Sequence, residues 1–309
     1  MLCWIIILLL AAATDLQAKH VRLYAVVLGN DDPANFMAGS SMGSGLWQSD
    51  DTGKTWKQLG WKHIKAYSMD HDSNGRILYL AAGNGVLKST DHGESWRVMT
   101  DWRVSEVMDV KTIPKHPQTV IAATAHGIFR STDAGESWKR SHKGIEQPYV
   151  SQIYVEQHAI YACAESGFYC STNQGVSWKL VKRSPRPIRA AEAFKDLTMI
   201  VGDSHWALYR FDNSLASAHR SSSALWAAHY PSRLNQRFVG GIKGVGEFTG
   251  HEDIAYRGPK NVHALSSIGD VVFAGTLGEG LWAREQAGEW RQMALPRSNV
   301  WSLHTTLIE

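Results

Sequence analysis

The chain has few of the residue patterns that mark a chemical site. Its 309 residues include three Cys and no Cys-x-x-Cys pair, and its 14 His show no metal-ligand spacing, so a zinc site is not expected. It has no Gly-rich phosphate-binding loop and no Gly-x-Ser-x-Gly elbow. The formal net charge is +3, with the basic residues dispersed, which argues against a dedicated nucleic-acid binder. The sequence therefore predicts no metal site, no cofactor and no nucleic-acid partner.

Long apolar runs are also missing, except at the N-terminus. Residues 2–13 are apolar, a run too short to span a bilayer. Polar residues and a small-residue cleavage site ending at Ala18 follow, although no Lys or Arg precedes the run. The segment over residues 1–18 resembles a secretory signal peptide. We therefore expect a secreted or periplasmic monomer whose mature part, residues 19–309, is one domain without a transmembrane span.

One eight-residue pattern, called the octet here, occurs four times. Its eight positions are, in order, Ser; Thr or Asp; Asp or Asn; any residue; Gly; any residue; Ser or Thr; and Trp. The copies occupy residues 49–56, 89–96, 131–138 and 171–178, and they begin 40, 42 and 40 residues apart. A fixed period of this size is typical of a propeller or solenoid, in which each repeat is one supersecondary unit.

The residue types of the octet describe a turn that stabilises itself between two strands. Asp or Asn can accept hydrogen bonds from the backbone of its own turn, Gly supplies a positive φ, and Trp buries a large ring. The octet resembles the Asp box of the BNR-repeat propellers, a superfamily that includes sialidases, sortilin-type receptors, tandem-propeller glucanases and photosystem II assembly factors. The resemblance implies a structural role at the blade periphery for Asp51, Gly53, Trp56, Asp91, Gly93, Trp96, Asp133, Gly135, Trp138, Asn173, Gly175 and Trp178.

The segments between octets are short runs of aliphatic and aromatic residues separated by Gly, Asn and Asp, which is a strand-and-turn signature. They predict an all-β, seven-bladed propeller of four-stranded antiparallel blades. Eight opening strands accompany seven sets of the other strands. Either the last strand, residues 300–305, joins the first blade and displaces residues 21–28 from its opening position, or one blade has an extra strand. Eight blades would need three strands that the chain lacks.

The sequence leaves enzyme activity undecided and favours a non-catalytic protein. Sialidases carry an early Arg-Ile-Pro motif, and the nearest string here, residues 186–189, has the wrong order and the wrong blade. The candidate carboxylates for glycoside hydrolysis are Glu106 and Glu192, on two opening strands. The alternative function is therefore a sialidase-like or other exo-acting glycosidase.

The opening strands also carry the candidate ligand-binding residues. One position, directly after the first aliphatic residue, is repeatedly basic or aromatic. A basic segment over residues 179–189 adds further positive charge. Such a surface attracts an acidic partner, and Trp supplies anchors. The arrangement resembles the arginine-rich face of photosystem II assembly factors, and it predicts a binding or assembly module for an acidic protein segment or a glycan. The candidates are Arg22, Lys65, Arg189, Trp226, His263 and Trp301.

Two cysteines near the fourth octet form a candidate disulfide. If residues 166–167 were the two-residue turn of a hairpin, Cys163 would lie directly opposite Cys170, which is close enough for a bridge. An exported protein permits disulfides. Two packed free thiols are the alternative.

Overall fold

The computed structural model describes residues 20–29, 43–72, 74–156, 158–184, 187–194, 197–202, 205–210, 215–220, 223–231, 234, 236–248, 255–285, 288–295 and 297–308. The predicted signal peptide, residues 1–18, lies outside these residues. The described chain is built from β-strands that form four-stranded antiparallel sheets. It contains no helix whose length and apolar character would let it cross a membrane. The predicted all-β propeller of four-stranded antiparallel blades is confirmed.

The described strands form seven such sheets, numbered here as blades 1 to 7. Strands are given from the innermost outward. Blade 1 consists of β28 (Asn299–Ile308), β1 (His20–Leu28), β2 (Gly45–Ser49) and β3 (Lys57–Leu59), and blade 2 of β4 (Ala66–His71), β5 (Leu78–Ala82), β6 (Gly85–Ser89) and β7 (Arg97–Val98). Blade 3 consists of β8 (Val107–Ile113), β9 (His116–Thr124), β10 (Gly127–Ser131) and β11 (Lys139–Arg140), and blade 4 of β12 (Val150–Val155), β13 (Ile160–Ala164), β14 (Gly167–Ser171) and β15 (Lys179–Arg183).

Blades 5 to 7 follow in chain order. Again from the innermost strand outward, blade 5 consists of β16 (Ile188–Phe194), β17 (Leu197–Gly202), β18 (His205–Arg210) and β19 (Leu215–Arg220). Blade 6 consists of β20 (Leu225–His229), β21 (Arg237–Gly241), β22 (Gly244–Phe248) and β23 (Ala255–Arg257), and blade 7 of β24 (Val262–Ile268), β25 (Val271–Thr276), β26 (Leu281–Glu285) and β27 (Arg291–Gln292). The innermost strand of each blade contacts that of the next blade, and β24 of blade 7 contacts β28 of blade 1.

Burial decreases from the second strand of a blade to its edge. Every residue of β5 and of β13 is buried, because these strands are covered on both faces by neighbouring blades. The edge strands β7 and β11 have two residues each, all exposed, and three of the four are Lys or Arg. Short, charged edges of this kind protect a sheet from pairing with another chain.

The chain closes through its last strand. β28 pairs antiparallel with β1, from His20 opposite Ile308 to Leu28 opposite Asn299. The innermost place in blade 1 therefore belongs to β28, and β1 lies second, as the first of the two predicted arrangements requires. Side chains of β1 are consequently one strand away from the centre.

Each octet connects the third strand of a blade to the fourth, as in the step from β10 to β11. In the octet at 131–138, Ser131 Oγ donates to Asp133 Oδ1 (2.7 Å) and accepts from the Gly135 N–H (2.8 Å). Asp133 also accepts from the Ser137 N–H (2.9 Å) and from the Ser137 hydroxyl (2.5 Å). The octets at 49–56 and 89–96 repeat this network. These bonds lower the pKa of Asp133 to about 2, chiefly through the hydroxyls of Ser137 and Ser131.

Two consecutive residues of each octet adopt the left-handed conformation. Position four has a φ between 57° and 62° in all four copies, where the residues are Thr52, His92, Ala134 and Gln174. The glycine at position five follows with a φ between 79° and 94°. A non-Gly residue pays roughly 1–2 kcal/mol for this conformation, so the hydrogen bonds around it must outweigh that cost.

The predicted disulfide between Cys163 and Cys170 is wrong; both cysteines are free. The hairpin turn lies at Glu165 and Ser166, one residue earlier than expected, so Cys163 opposes Phe168 and Cys170 opposes Tyr161. The two cysteines are thus diagonal neighbours, and diagonal positions lie ~7–8 Å apart, which exceeds the reach of a disulfide. Burial raises the pKa of both thiols.

We expect Asp133→Ala to lower the free energy of unfolding by about 1 kcal/mol, because it leaves the buried Ser131 hydroxyl and the exposed Ser137 N–H without their acceptor. Asp133→Asn is the matched control. Asn173 occupies the same position in the fourth octet and keeps the bonds from the Ser177 N–H (3.0 Å) and the Ser171 hydroxyl (2.9 Å). Equal loss of stability in both variants, measured by denaturant unfolding at pH 7, would contradict this account.

The stability difference between wild type and Asp133→Asn should depend on pH. The pKa of Asp133 is depressed in the folded protein, so its contribution is complete above the usual pKa near 3.8 and is lost as pH falls toward 2. Melting temperatures measured from pH 5 to pH 2 should therefore converge. A constant difference over that range would show that the charge of Asp133 has no part in the turn.

Alkylation in denaturant without a reductant should modify both Cys163 and Cys170, as mass spectrometry of the peptides would show. Omitting the denaturant should protect the fully buried Cys163 more than the half-buried Cys170. Modification that appears only after reduction would show that a bridge exists after all.

Candidate functional site

Each innermost strand contains a β-bulge near its start. In β24, for example, Val262 pairs with Thr276 and Ala264 pairs with Gly275, which leaves His263 as the extra residue. The same interruption occurs in the other six innermost strands. The extra residues, called the bulge ring here, are Tyr67, Met108, Ser151, Arg189, Trp226, His263 and Trp301. All seven line one central cavity of about 190 Å³.

The residues beside the bulge explain why these side chains point inward. The residue before the bulge is fully buried in every blade, as Ile188 and Leu225 show. The residue after it is Ala, Ser, Asp or Gln, and Ala190, Ala227 and Ala264 are all buried. With both neighbours fixed in the blade, the extra residue is directed into the channel, as bulges next to functional sites often do.

Four of the six predicted ligand-binding residues belong to the bulge ring: Arg189, Trp226, His263 and Trp301. Lys65 does not, because the true counterpart in blade 2 is Tyr67. The buried residue before the bulge is Ala66 there, and the branched Ile64 gives a false alignment two residues earlier. Lys65 is exposed and precedes β4 at the rim.

Arg22 is also outside the bulge ring. Because β28 holds the innermost place in blade 1, Arg22 on β1 instead pairs with Asp50, with Nε 2.6 Å from Oδ1. Tyr67 and Met108 were missed by sequence reasoning. The pattern that marks them is a buried apolar residue, the bulge residue and then a small or polar residue, and blades 2 and 3 contain it at residues 66–68 and 107–109.

Four consecutive blades contribute an arc of rings to the cavity, called the aromatic arc here. The rings of His263 and Trp301 are stacked with centroids 4.0 Å apart, Trp226 lies 5.8 Å from His263, and Tyr67 lies edge-on 6.1 Å from Trp301. His263 Nδ1 is 3.2 Å from the Trp301 carbonyl oxygen. Contacts of this kind orient the rings, and together they give the cavity an aromatic wall from four of the seven blades.

Positive charge at this mouth comes from Arg189 and not from His263. Burial lowers the pKa of His263, the Trp301 carbonyl partly opposes that effect, and the charge of Arg189 lowers the pKa further. Arg189 itself is exposed, and it lies in blade 5, next to the blade of Trp226. The arrangement can hold a flat apolar group against the arc and an anionic group beside it.

Below the bulge ring the channel wall is polar and well bonded. Asp109 accepts from Ser68 Oγ (2.5 Å) and lies 3.3 Å from Lys111 Nζ. Burial alone would lower the pKa of Lys111, but the charges of Asp109 and Asp70 raise it. Burial lowers the pKa of His304 to about 4, so this histidine is neutral at pH 7. The negative charges of Asp109 and Asp70 thus compensate the positive charge of Lys111 within the channel.

Several polar side chains on the innermost strands bond to the backbone of the next blade. The acceptors are Asp70 for the Thr112 N–H, Asp109 for Ile153, Gln152 for Ala191 and Glu192 for Tyr230, at 2.7 to 3.2 Å. We call these bonds interblade staples. They always run from one blade to the following one, and they hold neighbouring innermost strands in register.

The two candidate catalytic carboxylates do not form a pair. Glu106 lies two residues before its bulge, where it is exposed and 3.6 Å from His126. Glu192 lies three residues after its bulge and is an interblade staple. The innermost strands run in the same direction, so five residues separate the two levels by about 16 Å, against ~5–9.5 Å in glycosidases.

The basic segment is likewise not part of the bulge ring as a whole. Lys182 and Arg183 lie on β15, the edge strand of blade 4, and Arg183 is paired with Glu146 at 2.6 Å. Arg186 lies outside the described residues. Among the candidate cations in the described chain, Arg189 lines the cavity.

Comparison with known proteins shows the fold. No protein-family model matches the chain, and no curated protein matches it. Its solved structural neighbours include an ancestral GH74 enzyme (TM-score 0.56, 13% identity, 81% of this chain), and this chain spans about half of that enzyme's length (51%).

Two further neighbours are YCF48 proteins. One is YCF48 bound to D1 peptide (TM-score 0.59, 12% identity, covering 74% of this chain and 82% of that one). The other is YCF48 from Cyanidioschyzon merolae (TM-score 0.60, 17% identity, covering 77% and 87%). At these identities the likeness shows a β-propeller fold, and function is a separate question.

Proposed function

We propose that this protein is a non-catalytic binding or assembly module that holds an acidic protein segment or a glycan at the bulge ring. The observation that carries the proposal is the aromatic arc with Arg189 beside it, at the one level of the channel where all seven blades converge. The arc offers a flat face for a sugar ring or an apolar side chain, and Arg189 offers a partner for a carboxylate.

Three further parts of the proposal extend the fold. The seven sheets form one closed seven-bladed ring, which the contacts between successive innermost strands support. The octets are Asp boxes of the BNR type, since their hydrogen bonds match the structural role expected of that turn. The protein is exported after loss of residues 1–18, for which the apolar run is the support.

The octets and the bulge ring lie at opposite ends of the blades. A bulge occurs near the start of each innermost strand, whereas each octet follows the third strand, which runs in the same direction as the first. Damage to an octet should therefore affect stability, and damage to the bulge ring should affect binding. The neighbour YCF48, whose structure holds a bound D1 peptide, supports a binding role for such a propeller.

We expect Arg189→Glu to weaken binding of acidic probes at least tenfold and to reverse its dependence on salt, because added ions screen the repulsion between Glu and an acidic probe. The probes are a set of Asp- and Glu-rich peptides and a set of sialylated oligosaccharides, each measured by calorimetry at 50 and 300 mM NaCl. Lys139→Glu is the matched control, since it makes the same charge change on the edge strand β11. Equal effects of the two variants would contradict the proposed site.

Trp301→Ala should weaken the same probes through lost contact area, while the salt dependence remains. Trp102→Ala is its control, because Trp102 is 86% exposed and does not line the cavity. The alternative, a glycosidase, is tested in parallel with a panel of chromogenic glycosides that includes sialosides. Turnover that disappears in Glu192→Gln would overturn the non-catalytic proposal.

A further inference from the structure

A hydroxyl, an imidazole and a carboxylate from three consecutive blades form a hydrogen-bonded relay in the channel wall. Ser267 on β24 has its Oγ 2.8 Å from His229 Nε2, and His229 Nδ1 is 3.1 Å from the carboxylate of Glu192. Glu192 is held in turn by the Tyr230 N–H at 3.1 Å. These three side chains lie near the ends of their strands, on the octet side of the bulge ring.

The carboxylate decides which nitrogen of the imidazole carries the proton. An ionised carboxylate can only accept a hydrogen bond, so the proton between Glu192 and His229 belongs to Nδ1. Nε2 of the neutral ring then has a free electron pair and accepts the hydroxyl proton of Ser267. This is the tautomer and orientation that a general base requires to activate a serine.

The relay differs from the interblade staples around it. His229 lies three residues after its bulge residue, the position that Asp70 and Glu192 occupy in their blades. Those two carboxylates accept a backbone N–H of the next blade. In blade 6 the same position is an imidazole that bonds a hydroxyl.

The backbone of Ser267 contributes a second element. Ser267 lies four residues after its bulge, as Thr112 and Tyr230 do in their blades, and the N–H groups of those two residues donate to carboxylates across the blade boundary. The Ser267 N–H has the equivalent place on its strand. It can thereby donate to the oxyanion that forms on the carbonyl oxygen of the ester when Ser267 Oγ attacks the carbonyl carbon.

We propose that Ser267 is a nucleophile for short-chain carboxylic esters, with His229 as its general base and Glu192 as the residue that orients His229. Ser267 Oγ attacks the ester carbonyl while its proton passes to His229 Nε2. The alcohol leaves with that proton, and an acyl group stays on Ser267. Water then attacks the acyl-serine, His229 takes its proton and returns it to Ser267, and the carboxylic acid is released.

The surroundings restrict the acyl group to a short chain. The side chains of His229 and Glu192 are only 15% and 19% exposed, and Ser267 is partly buried. The esterase activity would replace the non-catalytic part of the proposed function and would leave ligand binding at the bulge ring unchanged. Its failure would leave the whole proposed function standing.

The test is covalent labelling of the wild-type protein with a fluorophosphonate, with the modified peptide identified by mass spectrometry. We expect one adduct at Ser267, which Ser267→Ala removes. His229→Gln should slow labelling by at least about 100-fold, the usual contribution of a general base. Ser266→Ala is the matched control, since Ser266 is the adjacent serine and bonds to Thr305 instead; it should label like the wild type.

Hydrolysis of 4-nitrophenyl acetate should follow the same order of variants, with a burst equal to the concentration of labelled protein. Folding of each variant is checked by its thermal melt. No adduct at Ser267 of the folded wild type would overturn the proposal. Labelling of folded His229→Gln at an unchanged rate would also overturn it, because the imidazole would then join the blades without activating Ser267.

Discussion

The pairing of β28 with β1 is the interaction on which the rest of the molecule depends. It is the step that joins the last part of the described chain to the first, and it brings the innermost strand of blade 1 between those of blades 7 and 2. Without β28 the bulge ring would lose Trp301, and the stack on His263 would have no second ring. The same pairing moves Arg22 outward into its contact with Asp50. One sheet therefore determines both how the chain closes and which side chains reach the channel.

The channel contains two levels with different chemistry. At the bulge ring, each blade contributes one residue that has no partner in the strand pairing of its sheet, and these residues are aromatic, cationic, polar or apolar according to the blade. Below it, polar side chains are largely used by the next blade, as Asp109 and Gln152 show. The first level is suited to binding a partner and the second to holding the blades together. His229 differs from the interblade staples at this level because its imidazole bonds a side-chain hydroxyl of the next blade instead of a backbone N–H.

The sequence was sufficient for the fold because the octets repeat both residue type and spacing. For the closing strand it left two arrangements open, since one opening strand exceeded the other sets, and the pairing of β28 with β1 selects the first. The site was predictable only where the bulge residue follows a branched aliphatic residue, as in Ile188-Arg189 and Leu225-Trp226. In blade 2 the bulge follows Ala66, and the burial of so small a residue leaves no mark in the sequence. In blade 3 the sequence alignment placed Val104 where the structure has Val107. Cys163 and Cys170 show the same limit for hairpins, where moving the turn by one residue changes every pair.

The relay could not be predicted from spacing at all. Glu192, His229 and Ser267 are 37 and 38 residues apart, and the residue type at their positions varies from blade to blade. Only the ring brings the three together. A search for sequence repeats therefore does not reveal the relay, because its three residues lie at positions that vary between repeats.

The left-handed residue at position four of the octet has a consequence for how these turns diverge. Neighbouring blades recognise this residue through its carbonyl oxygen: Tyr79 Oη and Lys88 Nζ donate to that of Ala134, and Arg130 Nε donates to that of Gln174. This carbonyl contact does not depend on the side chain, although Gln174 Oε1 also accepts from Arg130 Nη2 at 3.4 Å, so Thr, His, Ala and Gln all occur there. The adjacent blade contacts the backbone shape of the turn and its carbonyl oxygen, so the turn can lose the residues of the octet pattern and still pack against that blade. Glycine at this position would remove the conformational cost while keeping that carbonyl in place.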